Sequence, residues 1–246
     1  MPTPHHQTSV ATVGYRRQAY PGGMSSGDRA SPPSLPAVDG LGTADLVDAM
    51  GRLHRHRCAV LDLVSPAPDR VLFGPAVTIS FFPSCAEALP PERFNFARLF
   101  YEAIEGGGKD RVLVLASNGH PDVSLGGGTK MSRVDNHGLA GVLADGRLRD
   151  FAQLRRFGFA TWCRGEATHW GGDVVTPFEA NRPVVIDGVG IRPGDLVFAD
   201  SSGAVAIPSG QVDEVIAEAR RIVAADAGFM EQIRTEDPAD LRGDEH

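Results

Sequence analysis

Apolar residues in this chain gather in short dense runs separated by glycine, proline and acidic turns, the pattern of a domain that alternates strands with helices. From Thr43, placed as an N-cap, Leu46, Ala49 and Met50 recur at helical spacing. Residues 58–64 and 71–80 read as strands with a Pro/Asp turn between them. Over 94–105, Phe96, Leu99, Phe100 and Ile104 share one helical face, which stops at Gly106-Gly107-Gly108. Residues 111–116 are almost continuously apolar, as expected of a strand covered on both sides. A glycine-opened helix from Gly128, a buried strand over 140–145, a turn, and a helix beginning at Arg149-Asp150 follow. Short strands over 159–163, 174–177, 183–186, 195–199 and 204–207 precede a long helix capped by Ser209 and running to about Ile233.

Mixed βα units followed by a strand-rich stretch predict one α/β layered domain with mixed sheets. Its span is 39–235, with an acidic, frayed tail over 236–246. Residues 1–38 are rich in Pro, Gly, Ser and Thr without apolar periodicity and read as a flexible arm, or one draped on a neighbour; Met24 is a second candidate start.

Composition narrows the classes. At 246 residues, 42% hydrophobic and 22% charged, the chain suits a single globular domain. With 24 basic and 31 acidic side chains its net charge is −7, and the basic runs Arg16-Arg17, 52–57 and Arg155-Arg156 are short, so nucleic acid is not an expected partner. Three cysteines without CxxC spacing argue against a disulfide framework or zinc site. Neither a membrane-length apolar run nor a signal-peptide core is present, and a cytoplasmic location with no membrane partner is expected.

The candidate chemistry lies in residues 126–153. Gly126-Gly127-Gly128 opens a helix whose free N–H groups suit a carboxylate or phosphate, although a glycine turn needs no ligand. It is neither a P-loop nor a dinucleotide fingerprint. Asp145-Gly146 reads as an ordinary turn after a buried strand. Arg149 and Asp150 follow Gly128 by 21 and 22 residues, across one helix and one strand, which returns the chain to the same sheet edge. Other polar groups read more simply. His54/His56 and Glu166/His169 are ligand pairs without a third, Cys85 and Cys163 lack an activating neighbour, and Asp48 reads as a structural hydrogen bonder. Asn118, His120 and Asp122 follow a strand and are candidates for the mouth of a site.

Gly128-x20-Arg149-Asp150 resembles the signature of the RraA-like family. Thr43-Ala-Asp-Leu-Val-Asp48-Ala, Gly74-Pro-Ala-Val-Thr78, Gly138-Leu-Ala-Gly141-Val and the stretch from Arg192 to Pro208 are similar to it as well. That family holds class II aldolases for 4-hydroxy-4-methyl-2-oxoglutarate and 4-carboxy-4-hydroxy-2-oxoadipate, the regulator of ribonuclease E activity, and proteins once called demethylmenaquinone methyltransferases. The resemblance implies an αββα sandwich of the swivelling β/β/α type, assembled as a homotrimer or homohexamer. It implies that Asp150 binds Mg²⁺ or Mn²⁺, that Arg149 contacts the keto oxygen of a small 2-oxo acid, and that Gly127, Gly128 and the amides of Thr129, Lys130 and Met131 hold the substrate carboxylate. It further implies a carboxylate from a neighbouring subunit's C-terminal helix, for which Asp226 is the first candidate and Glu218 the second. The implied reaction is retro-aldol cleavage, or oxaloacetate decarboxylation, through a pyruvate enolate. One departure stands out: the aldolases carry Glu or Asp three residues after the motif aspartate, where this chain has Gln153. Two other functions therefore stay open: a non-catalytic protein-binding regulator, and a specialised biosynthetic lyase with another substrate. Lys130 is an unusual cation in the glycine loop, able to pair with a substrate carboxylate or to face solvent.

Overall fold

A computed structural model describes residues 35–54 and 56–238. The arm expected over 1–38 thus falls outside the described residues up to 34, and the tail expected over 236–246 does so from 239.

Four parallel strands form the centre: β2 (Leu72–Pro83), β3 (Val112–Ala116), β5 (Gly141–Ala144) and β7 (Ala160–Trp162), in that spatial order. Parallel neighbours need crossovers, and helices supply them. These are α2 (Phe96–Ala103), α3 (Gly128–Asn136) and α4 (Phe151–Leu154). All three lie on one face, because Phe96, Leu99, Phe100, Met131, Val134 and Leu154 pack with Leu113, Leu115, Val142 and Ala144. The same face takes β8 (Val175–Ala180), antiparallel to the far end of β2.

β2 also belongs to a second half. Its first residues pair antiparallel with β11 (Leu196–Asp200), β11 pairs with β12 (Gly203–Ile207), and β12 pairs with the short β1 (Ala59–Val60). Period-two alternation splits these strands cleanly. Val197, Ala199, Ala204 and Ala206 face Val112, Val114, Leu143 and Trp162 across an inner core, joined by the hairpin of β9 (Val184–Ile186) and β10 (Val189–Ile191). Phe198, Val205 and Ile207 point outward and are covered by Leu46 and Met50 of α1 (Thr43–Leu53) and by Val215, Ile216 and Ala219 of α5 (Val212–Ile233). The result is helix, sheet, sheet, helix: the mixed α/β layering read from the sequence, in the αββα order that the family resemblance implies.

Several local expectations need correction. Thr43 is not the N-cap of α1; Gly42 is, and the Thr43 N–H donates to Asp200 Oδ2 at 2.8 Å, a partner 157 residues away. The strand expected over 58–64 is cut to two residues, because Asp62 takes a left-handed backbone and only an isolated bridge joins Val64 to Cys163. Ser209 does not cap α5 but opens a short 3₁₀ turn, its N–H donating to Asp195 Oδ1 at 3.2 Å. The β9–β10 hairpin, of which only the first strand was expected, turns on left-handed Asp187-Gly188.

Candidate functional site

The Arg149-Asp150 pair is fixed by a small parallel sheet outside the main one. β4 (Ser124–Gly126) runs beside β6 (Arg147–Leu148), with Arg147 N–H on Val123 O (3.0 Å) and Arg149 N–H on Gly126 O (2.8 Å). On the other side, residues 165–167 run parallel to β6, with Leu148 N–H on Gly165 O (3.0 Å) and Ala167 N–H on Leu148 O (2.9 Å). The chain leaves this clamp through Asp150, whose φ of 64° and ψ of 44° are left-handed, a conformation costing about 1 kcal/mol in a non-glycine residue. That turn carries Asp150 Oδ2 to the Gly128 N–H at 3.0 Å, closing the loop that the sequence spacing predicted.

The loop glycines are there for close approach. A Cβ on Gly127 would stand 2.5 Å from Asp150 Oδ2, and one on Gly128 would stand 2.0 Å from Gln153 Oε1. Gln153, the departure from the expected acid, therefore lies directly against the glycine loop.

Ser124, Gly126, Gly127, Thr129, Lys130, Arg149, Asp150 and Trp170 line a cleft of about 240 Å³. Lys130 is half-buried in it, its Nζ 3.4 Å from Leu125 O and 5.3 Å from the centre of the Phe96 ring. No carboxylate pairs with it among the described residues. Burial first, then the charges of Arg149 and Arg133, lower its pKa from the usual lysine value. Among the described residues Asp150 is the only carboxylate lining the cleft, so two cations face one anion. A larger hollow of about 330 Å³ beside the β9–β10 hairpin is mostly apolar, and its Asp195 is already tied to Arg192 and to the Ser209 N–H.

The expected amides divide. Thr129 and Lys130 have N–H groups without a partner among the described residues, whereas the Met131 N–H closes the first turn of α3 on Gly127 O (3.0 Å). The Met131 side chain is buried against Gly126. Met131 is therefore a core residue with no free amide, which corrects its assignment to substrate. Asp226 is exposed on α5, in the opposite outer layer, and does not line the cleft of its own chain; a role for it requires a second copy. Glu218 is tied to Arg52 and Arg221, which hold its carboxyl below the usual range. Asp48 is exposed and makes no hydrogen bond among the described residues; the bond at this helix end comes from Asp45, which accepts from the Gly42 N–H at 2.8 Å.

Asn118, His120 and Asp122 do not line the cleft; Asp122 pairs with Arg147 at 3.0 Å and braces the clamp from outside. His54 and His56 have ring centres 5.8 Å apart, and His169 pairs with Asp173 at 3.0 Å. Asp145, read as a turn residue, is buried and accepts from the Ser117 N–H, tying the ends of β3 and β5 together. Sequence reasoning missed Trp170 as a cleft wall and Glu166 as a neighbour of Asp150, since both arrive from a loop with no periodic signal.

Cys58 and Cys163 are buried, and burial pushes the Cys163 thiol up to about 11, whereas Cys85 is exposed. A thiol-disulfide reagent at pH 8 is expected to modify one thiol per folded chain quickly, and Cys85→Ser removes that fast phase.

The donor set fits a hard divalent cation bound largely by water. Among the described residues no three His, Cys, Asp or Glu side chains come together. Mg²⁺ is ordinarily held by one or two carboxylates with waters, and exposed Asp150 offers an oxygen, Oδ1, that makes no other bond among the described residues.

The domain is thus an αββα fold in which an Arg-Asp turn is set against a glycine-opened helix. Residues 43–206 match the model for the RraA-like family described as Aldolase/RraA, and the chain belongs to that family. A Halalkalibacterium halodurans protein provisionally named 4-hydroxy-4-methyl-2-oxoglutarate aldolase is 31% identical over 64% of this chain and 69% of its own length. Protein DlpA of Legionella pneumophila is 28% identical over 59% of this chain, which spans only 23% of DlpA. Among solved structures, RraAS2 of Streptomyces coelicolor, described as an unusual member of the RNase ES inhibitor RraA protein family, superposes with a TM-score of 0.67 at 25% identity, over 79% of this chain and 93% of that one. No helix among the described residues is long and apolar enough to cross a membrane.

Proposed function

We propose that this chain is a divalent-metal-dependent carbon–carbon lyase that cleaves or decarboxylates a small 2-oxo acid through a pyruvate enolate. The observation that carries the reading is the Arg149-Asp150 turn, held by hydrogen bonds against the free amides of Thr129 and Lys130 in one cleft. The naming of relatives as aldolases supports it.

In this reading the Thr129 and Lys130 amides, at the positive end of α3, hold the substrate carboxylate. Arg149 faces the keto oxygen. When the bond beyond C3 breaks, its electron pair becomes the enolate and the negative charge grows on that oxygen. A guanidinium fixed beforehand stabilises this charge more than it stabilises the ketone. Mg²⁺ or Mn²⁺ held through Asp150 would supply further Lewis-acid stabilisation of the same oxygen. In retro-aldol cleavage the 4-hydroxyl must also lose a proton, and Asp226 of the partner subunit is the proposed acceptor in a trimer or hexamer. The test is pyruvate release from oxaloacetate and from 4-hydroxy-4-methyl-2-oxoglutarate with Mg²⁺ or Mn²⁺. Turnover above the metal-only background supports the reading, and its absence on both substrates contradicts it.

Lys130 gives a separate expectation. Its unpaired ammonium favours an anion in the cleft, so Lys130→Met should raise KM for a dianionic substrate about tenfold, or ~1.4 kcal/mol. The same variant should be more stable than the parent at neutral pH. A lysine whose folded pKa lies below 10.5 carries its burial cost in full at low pH and sheds it as pH rises, so the variant's advantage in urea should shrink toward pH 10.5.

A second reading, a protein-binding regulator of RNA processing, is favoured by Gln153, which removes a charge beside the cleft, and by the likeness to RraAS2. It predicts no metal-dependent turnover on either substrate.

A further inference from the structure

Asp150 occupies the N-cap position of α4, where an aspartate ordinarily turns its carboxylate back onto its own helix. Here its side chain makes no capping bond and crosses instead to the Gly128 N–H. The acceptor for α4 comes from another segment. Glu166 places Oε1 2.8 Å from the Phe151 N–H, the first amide of the helix and the one directly after Asp150. Its backbone is held in position by the bonds that residues 165 and 167 make with Leu148. Gly165, with φ 146°, allows the Arg147 guanidinium to pass where a Cβ would stand 2.5 Å away, and Arg147 reaches the Glu166 carbonyl at 3.5 Å.

We propose that Glu166 is a positioning residue for Asp150: by capping α4 in its place, it leaves the Asp150 carboxylate to the glycine loop and the cleft. The orphan N–H at the start of α4 needs an acceptor, and two carboxylates stand within reach of this turn. With Glu166 on Phe151, Asp150 is free to bond Gly128 and keep one oxygen open. Without Glu166 the start of α4 loses its outside acceptor, and the Asp150 carboxylate is then the one placed to turn back onto the amides of its own helix, out of the cleft. Gln153 lies against Gly128 and is neutral, so the charged acceptor at this turn is Glu166.

The inference rests in part on Asp150 as the metal carboxylate, and the experiment separates the two. In the full chain, Glu166→Ala, Glu166→Gln and Asp150→Ala are compared with the parent by Mn²⁺ titration and, without metal, by the amide resonance of Gly128. Glu166→Ala is expected to weaken Mn²⁺ binding about 10- to 100-fold and to displace the Gly128 resonance toward its position in Asp150→Ala. Glu166→Gln, which keeps a carbonyl acceptor, is expected to restore both. A Gly128 resonance unmoved in Glu166→Ala overturns the proposal, as does Glu166→Gln behaving like Glu166→Ala. If the parent binds no Mn²⁺, the metal reading fails, while the metal-free Gly128 comparison still decides the role of Glu166.

Discussion

Replacing Arg149 with alanine is expected to lower kcat for pyruvate release by about 10²- to 10³-fold, the range measured when one preorganised donor to a developing oxyanion is removed. KM should change far less, because the keto oxygen of the ground state carries little of the charge that the guanidinium is placed to meet. Asp150→Ala should have a different signature. It removes the proposed metal carboxylate together with the bond to the Gly128 N–H, so turnover should lose its dependence on Mn²⁺ concentration as well as its rate. Steady-state kinetics over a Mn²⁺ series distinguishes the two variants. Equal effects on kcat and metal dependence from both would mean that the turn acts only as a structural unit.

The largest expected effect on stability lies far from the cleft. Gly141 begins β5 between β3 and β7, with φ at 156° and no room for a side chain. A Cβ there would stand 2.0 Å from the Ala160 carbonyl oxygen and 2.6 Å from Leu72 Cδ1, and the first of these is backbone of the neighbouring strand. Gly141→Ala is therefore expected to cost about 3 kcal/mol, by overpacking in a core that cannot move aside. Gly51 is the contrast. It lies exposed within α1 with nothing within 4 Å of its Cβ position, and Gly51→Ala should stabilise by about 0.5–1 kcal/mol through helix propensity. Urea midpoints at unchanged m-value measure both. A neutral Gly141→Ala would mean that the β5–β7 contact yields more easily than its geometry indicates.

What the sequence could say about this fold depended on how local each determinant is. β3 was legible because burial on both faces leaves an unbroken apolar run, and α2 because its buried residues recur at helical spacing. The N-terminus of α1 was misread because Asp200, 157 residues away, accepts from the Thr43 N–H and lets the helix start one residue earlier, capped at Gly42. The single strand expected over 183–186 is half of a hairpin whose Asp187-Gly188 turn was a readable signal that went unread.

The candidate site divides along the same line. The spacing from Gly128 to Arg149-Asp150 follows from one helix and one strand returning to a common edge, and the two ends do meet, at 3.0 Å. Glu166 and Trp170 join the site through a loop that pairs with β6 by a single bridge, and neither spacing nor periodicity announces that pairing. Met131 looked like a ligand-binding amide from its place in the loop. Only the register of α3, which sets Gly127 O as its acceptor, shows that its N–H is already used.

The proposed chemistry has one location, the cleft between the first turn of α3 and Arg149-Asp150. The measurement that tests it most directly is anomalous diffraction from crystals of the full chain soaked with Mn²⁺ and oxalate, a stable mimic of the pyruvate enolate. The account predicts an Mn²⁺ peak at the Asp150 carboxylate, with oxalate bridging the Thr129 and Lys130 amides and the Arg149 guanidinium. Mn²⁺ bound away from Asp150, or oxalate seated outside this cleft, would contradict it.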